Sequence, residues 1–436
     1  MQPGDAVAVA DKDGSVWGLW ARVAFRFCVV YFALFCVLYA EIMSVFTGVF
    51  RWWLPDGVIW WQMSTLAPVT EWVGRHVFGV DAVLYPASRS GDQTAVWVFL
   101  FDLLVVAIAA TMLWSVLDRR RTHYRGLHAW FVVFIRICLG GMLLYYGAVK
   151  VIPVQMPAPP LAELLRPFGQ LSPNWVLWLQ VGSSYPYEIA LGAVELAAGI
   201  LLFWPRTAIL GALLALASMA QVFLYNMTFG VSVKILSFHL LVLAVVLLAP
   251  QAKRLADVFV LQRSAPPFMQ PALFSTPCAN KAATAIQLTL GCWVLVGSLT
   301  VSWLVWTHYG GGRPKPALYG IWEVTTSTRD GAIVPPLTTQ RGRWQRLIID
   351  EPDRLSIQSM DDVIVTRSAA IDAHTITLND AALTVDRPAS DRLNLAGQID
   401  GHHVTMTLRR LDLDTLPLRR SGFHWVQEFP DLPPDE

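Results

Sequence analysis

Charge is what this sequence has least of. Only 15% of its 436 residues are Asp, Glu, Lys or Arg, while 55% are hydrophobic and the mean hydropathy is +0.46; a soluble chain carries about 25% charge. The implied solvent is a bilayer. Basic and acidic residues nearly cancel, 33 against 32 for a formal charge of +1, so there is no excess to neutralise phosphates and nucleic-acid binding by counterion release is excluded. Cysteine is equally sparse. Cys28, Cys36, Cys138, Cys278 and Cys292 show no C-x-x-C spacing, which supports neither a disulfide framework nor a zinc site. They read as small buried hydrophobes. Also missing in any usable context are G-x-S-x-G, H-E-x-x-H, Walker A and Rossmann patterns.

What the chain does have is long apolar runs. A helix needs about 20 mainly apolar residues to cross the hydrocarbon core, and seven windows qualify: 20–46, 95–117, 128–152, 186–204, 206–225, 232–250 and 283–306. The stretch between the first two, with Trp52, Trp53, Trp60, Trp61 and Trp72, reads as an amphipathic segment in the interface. No small-residue cleavage site follows the first run, so it reads as a retained helix. Lys and Arg gather after the second span (Arg119, Arg120, Arg121, Arg125), at Arg206 and in the 250–282 loop (Lys253, Arg254, Arg263, Lys281). Such loops stay cytoplasmic. The expectation is a multi-pass protein of the cell inner (plasma) membrane, N-terminus cytoplasmic, with everything after Trp306 periplasmic or extracellular.

Composition changes at Tyr309-Gly-Gly-Gly-Arg-Pro-Lys-Pro316, a linker of domain-separating type. From 313 to 436 there are 14 Lys and Arg against 18 Asp and Glu, net −4. Alternating runs predict strands at 319–327, 344–350, 354–359, 363–371, 374–378, 382–386, 392–398 and 403–409. Asp330-Gly331, Asn379-Asp380, Arg387-Pro388 and Asp400-Gly401 supply the joints. The predicted architecture is an α-helical polytopic bundle followed by an antiparallel all-β, barrel-like domain. Gly320-Ile-Trp322 resembles the G-x-W opening of lipocalin-like barrels, which implies either a barrel filled by side chains or one holding a lipidic ligand. The domain plan is a tail at 1–19, two spans at 20–127, a four-helix core at 128–250, a cytoplasmic loop at 251–282, a last span at 283–308, a linker at 309–318 and the β-domain at 319–436.

Ionisable residues inside spans are costly and face a bundle interior, a cavity or a partner. Glu41, Lys150, Glu188 and Lys234 fall near the outer ends of their spans, Glu195 and His239 about 10–14 Å deeper, and Arg136 deeper still, counting about 1.5 Å per residue. Arg136, Gly140, Gly147 and Lys150 share one helical stripe; Glu188, Gly192, Glu195 and Gly199 share another. The third and fourth spans are thus predicted neighbours. Two of the chain's six lysines, Lys150 and Lys234, lie in apolar runs. Two readings follow. In one, these lysines snorkel outward and hold helices in register through Glu188 and Glu41. In the other, Lys150, Glu195 and His239 form the chemical centre of a polar pocket, with Arg136, Glu188, Gln221, Asn226 and Lys234 around a ligand. Arg22 and Arg26 read as lipid-headgroup anchors. His402, His403 and His424 read as surface histidines, because adjacent strand residues point to opposite faces.

The runs Arg136-Ile-Cys-Leu-Gly-Gly-Met-Leu-Leu-Tyr-Tyr-Gly-Ala-Val-Lys150 and Gly192-Ala-Val-Glu195-Leu-Ala-Ala-Gly-Ile-Leu-Leu-Phe-Trp-Pro-Arg206 resemble the DoxX family, whose four-helix core carries R-x(3)-G, G-x-x-K and G-x-x-E-L-x-x-G. The resemblance covers residues 128–250. It implies quinone-linked redox chemistry at the membrane, with quinone as the expected cofactor and no metal or nucleotide. The chain departs from the family in its extra spans and its fused β-domain. The alternative is a non-catalytic scaffold or envelope assembly factor whose 319–436 domain binds a protein or lipid.

Overall fold

The computed structural model describes residues 17–88, 90–265, 271–340, 342–420, 425–426 and 428. The tail expected before Leu19, the centre of the 251–282 loop and His424 lie largely or wholly outside the described residues. The chain divides into two compact units, one of residues 1–156 and 185–310, the other of residues 157–184 and 311–436.

Among the described residues, the first unit holds seven helices long and apolar enough to cross a membrane: α1 (Leu19–Leu38), α2 (Thr94–Leu117), α3 (Arg125–Val151), α4 (Tyr185–Phe203), α5 (Ala208–Thr228), α6 (Lys234–Leu248) and α7 (Pro277–His308). Many of their large apolar side chains remain exposed, among them Leu113, Leu117, Leu210, Ile286 and Trp303. In a soluble bundle such a surface would aggregate; here it is the lipid-facing surface. α3 is the buried centre, with Ile135, Leu139, Met142, Leu143 and Leu144 at most 1% exposed.

The first span is shorter than its apolar run. α1 stops at Leu38, not at 46, and the chain continues as a short helix (Ala40–Ser44) and a 3-10 stretch (Val45–Trp53). This stretch stays inside the bundle. Val45 and Phe46 lie against Gly141 of α3, and Gly48, at φ 58°, backs onto Gly297 of α7. Gly141 is ten residues before Val151, about 15 Å along the helix, so the segment returns to membrane depth. Irregular backbone survives there only when protein surrounds it; Trp293 Nε1 donates to Phe46 O at 2.9 Å, and Gly48 is buried. After a four-residue turn of helix (Asp56–Ile59), the helix Trp61–Val73 is 13 residues long and too short to cross. Thr70 Oγ1 donates to Asp102 of α2 at 3.2 Å.

Arg26 is not a headgroup anchor. It is 2% exposed, and its guanidinium donates to Tyr124 Oη, Ser115 Oγ and Asp118 O. It staples α1 to the α2–α3 turn. Arg22 Nη1 donates to Arg121 O at 2.8 Å.

Among the described residues, the second unit is built on a ten-stranded antiparallel sheet: β1 (Gly320–Arg329), β2 (Ala332–Ile333), β3 (Trp344–Glu351), β4 (Arg354–Ser359), β5 (Ile364–Ser368), β6 (Ala370–Ile371), β7 (Thr375–Leu378), β8 (Ala381–Ala389), β9 (Arg392–Ile399) and β10 (His402–Arg410). The order β5-β4-β3-β1-β10-β9-β8-β7-β6 puts consecutive strands β5 and β6 at its two edges, so the sheet curls into a nearly closed barrel. Asp330-Gly331 and Asp400-Gly401 take positive φ at both residues, as tight type I′ hairpins demand. Arg387-Pro388 is not a joint. It lies within β8, where the register with β9 is irregular between Asp386 and Ala389, a place that tolerates a residue without an N–H. The predicted strand 363–371 is two strands, β5 and β6, broken at Ala369.

Alternate residues of β8 and β10 are buried, and Trp322, Leu347, Ile349, Leu393, Leu395 and Leu408 fill the interior. Trp322 Nε1 donates to Leu318 O at 2.9 Å, and the Arg387 guanidinium lies 5.9 Å from its ring. Arg343, 5% exposed, caps the interior by donating to the carbonyls of Val334, Trp344 and Val324. Residues 157–184, which join α3 to α4, belong to this unit. Leu161 packs on Ile321 and Ile348, and its N–H donates to Asp350 at 3.0 Å. Composition gave no sign of that attachment.

Candidate functional site

The α3–α4 contact is set by glycine. A Cβ on Gly147 would lie 2.7 Å from Leu196 N, one on Gly192 2.7 Å from both Lys150 Cβ and Val151 N, and one on Gly199 2.9 Å from the Leu144 side chain. Backbones this close leave no room for larger residues, and the approach carries the charged residues of both stripes into one place. Lys150 Nζ donates to Glu195 Oε2 at 2.6 Å, with the residues 5% and 2% exposed. Glu188, two turns earlier on the same stripe, is wholly buried. Its Oε1 accepts from Met156 N–H at 3.0 Å, while Oε2 has no partner among the described residues. The Lys150 ammonium is near enough to act on it electrostatically.

The set extends through α3 towards the re-entrant segment. Lys150 Nζ approaches Tyr146 O at 3.5 Å and lies 5.5 Å from the Tyr146 ring centroid. Tyr146 Oη donates to Glu41 Oε2 at 2.9 Å. Arg51 bonds Ser44 Oγ and sits 4.8 Å from the Tyr145 ring centroid, which pins the segment carrying Glu41. Tyr39 Oη is buried, close enough to Glu41 to feel its charge, and without a hydrogen-bond partner among the described residues.

Lys150, Glu195 and Glu188 therefore come together as a group, and His239 does not join them. Its ring stacks on Phe35 at 3.9 Å; Nδ1 is 2.7 Å from Ile235 O and Nε2 is 2.9 Å from Tyr31 Oη. A ring that donates through Nδ1 and accepts at Nε2 is satisfied as a neutral side chain. It serves the α1–α6 contact.

The ion pairs also differ from the sequence expectation. Lys150 pairs with Glu195, not Glu188, and Lys234 pairs with Asp92, not Glu41. Asp92 accepts from Lys234 N at 2.9 Å, Ile235 N at 3.0 Å and Lys234 Nζ at 3.3 Å. It caps α6 from 142 residues away, where the local cap position, Val233, has no side chain able to accept. Only its place in a Ser-Gly-Asp-Gln turn could have marked it.

The other expected ligand-binding residues are scattered. Gln221 is exposed, and among the described residues it reaches Tyr225 Oη, 3.4 Å away on its own helix. Asn226 ties α5 to α6 through Ser237 Oγ at 2.9 Å. Arg136, 1% exposed, donates through Nη2 to Gln287 of α7. In the β-domain, His402 Nδ1 faces Asp330 at 2.7 Å. Tyr39, Arg51, Asp92, Tyr146 and Gln287 were not singled out by pattern, because each is polar only at a tip and depends on tertiary partners.

No protein-family model matches the chain. A relative, the uncharacterized protein YwoB of Bacillus subtilis (strain 168), is 29% identical over 133 residues, amounting to 28% of this chain and 79% of that protein. No solved structure matches.

Proposed function

We propose that the protein is a DoxX-like membrane redox component that holds a quinone-type head group beside Lys150, Glu195 and Glu188. One observation carries the reading. A cation and two carboxylates from adjoining spans are buried together, and Tyr146 and Glu41 extend them by a hydrogen bond. Groups of this kind at membrane depth mark proton and substrate paths.

The orphaned atoms suit such a group. Tyr39 Oη offers a donor and Glu188 Oε2 an acceptor, complementary to carbonyl and hydroxyl oxygens respectively. A quinone, when bound, supplies two-electron, two-proton carrier chemistry. The chain's own residues orient it and hold protons. Lys150 presents positive charge to a developing oxyanion, Glu195 fixes the ammonium, Glu188 Oε2 is a place for a proton, and the Tyr146–Glu41 bond is a second. With the arginine-rich turns cytoplasmic, this end of the bundle faces the periplasm or exterior.

Titrating the purified protein with a short-chain benzoquinone, followed by tryptophan fluorescence, tests the reading. Saturable binding weakened at least tenfold by Lys150→Gln is expected. Absence of saturable binding sinks it.

A scaffold is the second reading, favoured by the closeness of the α3–α4 glycine contact. There the Lys150–Glu195 pair is only a staple and the β-domain captures an envelope protein or lipid. Lys150→Gln would then lower stability and change nothing else.

A further inference from the structure

The β-domain is acidic overall, with 14 Lys and Arg against 18 Asp and Glu in residues 313–436, yet its cations gather around the segment that opens it. Lys315 Nζ lies 4.4 Å from the Tyr319 ring centroid. Arg387 of β8 donates to Ala317 O, and a Cβ on Gly320 would lie 3.0 Å from Nε of Arg410, the last residue of β10. Arg313, Arg410 and Arg419, the last from the short helix Pro417–Arg420, are near enough to the Tyr319 hydroxyl to act on it electrostatically. Four separate parts of the chain thus bring positive charge to one place.

Two of these cations are committed within the domain. Arg313 pairs with Glu351 at 3.2 Å and donates to Asp350 O, and Arg387 also donates to Ser390 O. Lys315, Arg410 and Arg419 differ: each is exposed, and none has an acidic partner in an ion pair among the described residues. Asp350 is the acidic group that faces the same tyrosine, and it already accepts from Leu161 N–H. Beside Arg419, Leu418 is 53% exposed. Unpaired cations around a half-buried tyrosine, with an apolar side chain at their edge, have the composition of a membrane interface.

Chain length limits where the cluster can lie. Seven residues separate Lys315 from His308, the last residue of α7, at most about 25 Å of fully extended chain. Trp303 and Trp306 fall within two turns of that end of α7, as tryptophans at a bilayer surface do. The cations are tethered within reach of headgroups, and headgroup phosphates carry the charge they lack.

We propose that Lys315, Arg410 and Arg419 form a docking surface for the headgroups of anionic phospholipids. The proposal is independent of the quinone reading, which concerns α3 and α4.

The test is photocrosslinking of the full-length protein in phosphatidylcholine nanodiscs doped with a trace of phosphatidylglycerol or phosphatidylcholine that carries a diazirine in its headgroup. Mass spectrometry maps the labelled peptides. Labelling of residues 313–320 and 410–419 by the phosphatidylglycerol probe is expected, at least fivefold above labelling by the phosphatidylcholine probe. The triple variant Lys315→Gln/Arg410→Gln/Arg419→Gln should lose that excess while labelling along α2 and α5 stays unchanged. Salt at about 0.5 M, which shortens screening to a few ångströms, should lower the wild-type signal at least threefold, so the proposal stays testable if the triple variant fails to fold. Equal labelling by the two probes, a folded triple variant labelled like the wild type, or a wild-type signal insensitive to salt overturns it. So does a signal abolished by millimolar inorganic phosphate, which would assign the surface to a soluble anion.

Discussion

Lys150 and Glu195 meet at 2.6 Å across the α3–α4 crossing, 45 residues apart in sequence and both almost wholly buried. Removing one partner strands the other charge, whereas replacing both with apolar residues of similar volume removes the desolvation cost along with the attraction. Lys150→Ala or Glu195→Ala alone should therefore cost about 3–5 kcal/mol. The double variant Lys150→Met/Glu195→Leu should recover most of that. A double-mutant cycle on thermal unfolding in detergent reads the difference, and additive losses would contradict it.

Gly192 is predicted to tolerate no side chain. Its Cβ would meet Lys150 Cβ and Val151 N at 2.7 Å, and overpacking at such a contact costs about 1–3 kcal/mol. Gly126→Ala, where nothing lies within 4 Å, should stay within about 0.5 kcal/mol of wild type. Equal effects from the two would remove glycine packing as the reason for the crossing.

Asp92 holds the first turn of α6 through two N–H groups and Lys234 Nζ. Asp92→Ala should cost about 1–2 kcal/mol and should raise amide exchange at Lys234 and Ile235 before exchange elsewhere in α6. Uniform exchange along α6 would speak against a cap.

In the β-domain, hydrogen bonds from His402 Nδ1 and then His403 N–H hold the Asp330 carboxyl below the usual carboxylate range. A carboxyl lowered by folding stabilises the fold above its unfolded value of about 3.9, and that contribution fades as pH falls through the lower folded value. Asp330→Asn should therefore melt earlier than wild type near about pH 6, with the gap closing as pH falls below about 3. A gap that does not change with pH would contradict the assignment.

Much of this molecule was legible because its signals are local. The seven apolar runs each gave a long helix among the described residues, and the stripe holding Gly147 and Lys150 met the stripe holding Gly192 and Glu195, since spacing alone fixes a helix face. The Asp-Gly hairpins followed from backbone conformation. What stayed hidden depended on distant partners. Hydropathy carried the first run on to 46, but Phe46 and Gly48 are apolar because they pack at membrane depth in irregular backbone, not because the helix continues. Asp92 reads as an ordinary turn residue until α6 arrives beside it, and His239 looks like a site histidine until Tyr31 and Phe35 satisfy it.

The most direct test of the proposed role is the quinone content of protein extracted from its native membrane, measured by mass spectrometry. Near one quinone per chain is expected for the wild type, falling at least tenfold in the folded Lys150→Met/Glu195→Leu variant. A wild-type protein that carries none, or a double variant that keeps its full load, would contradict the account.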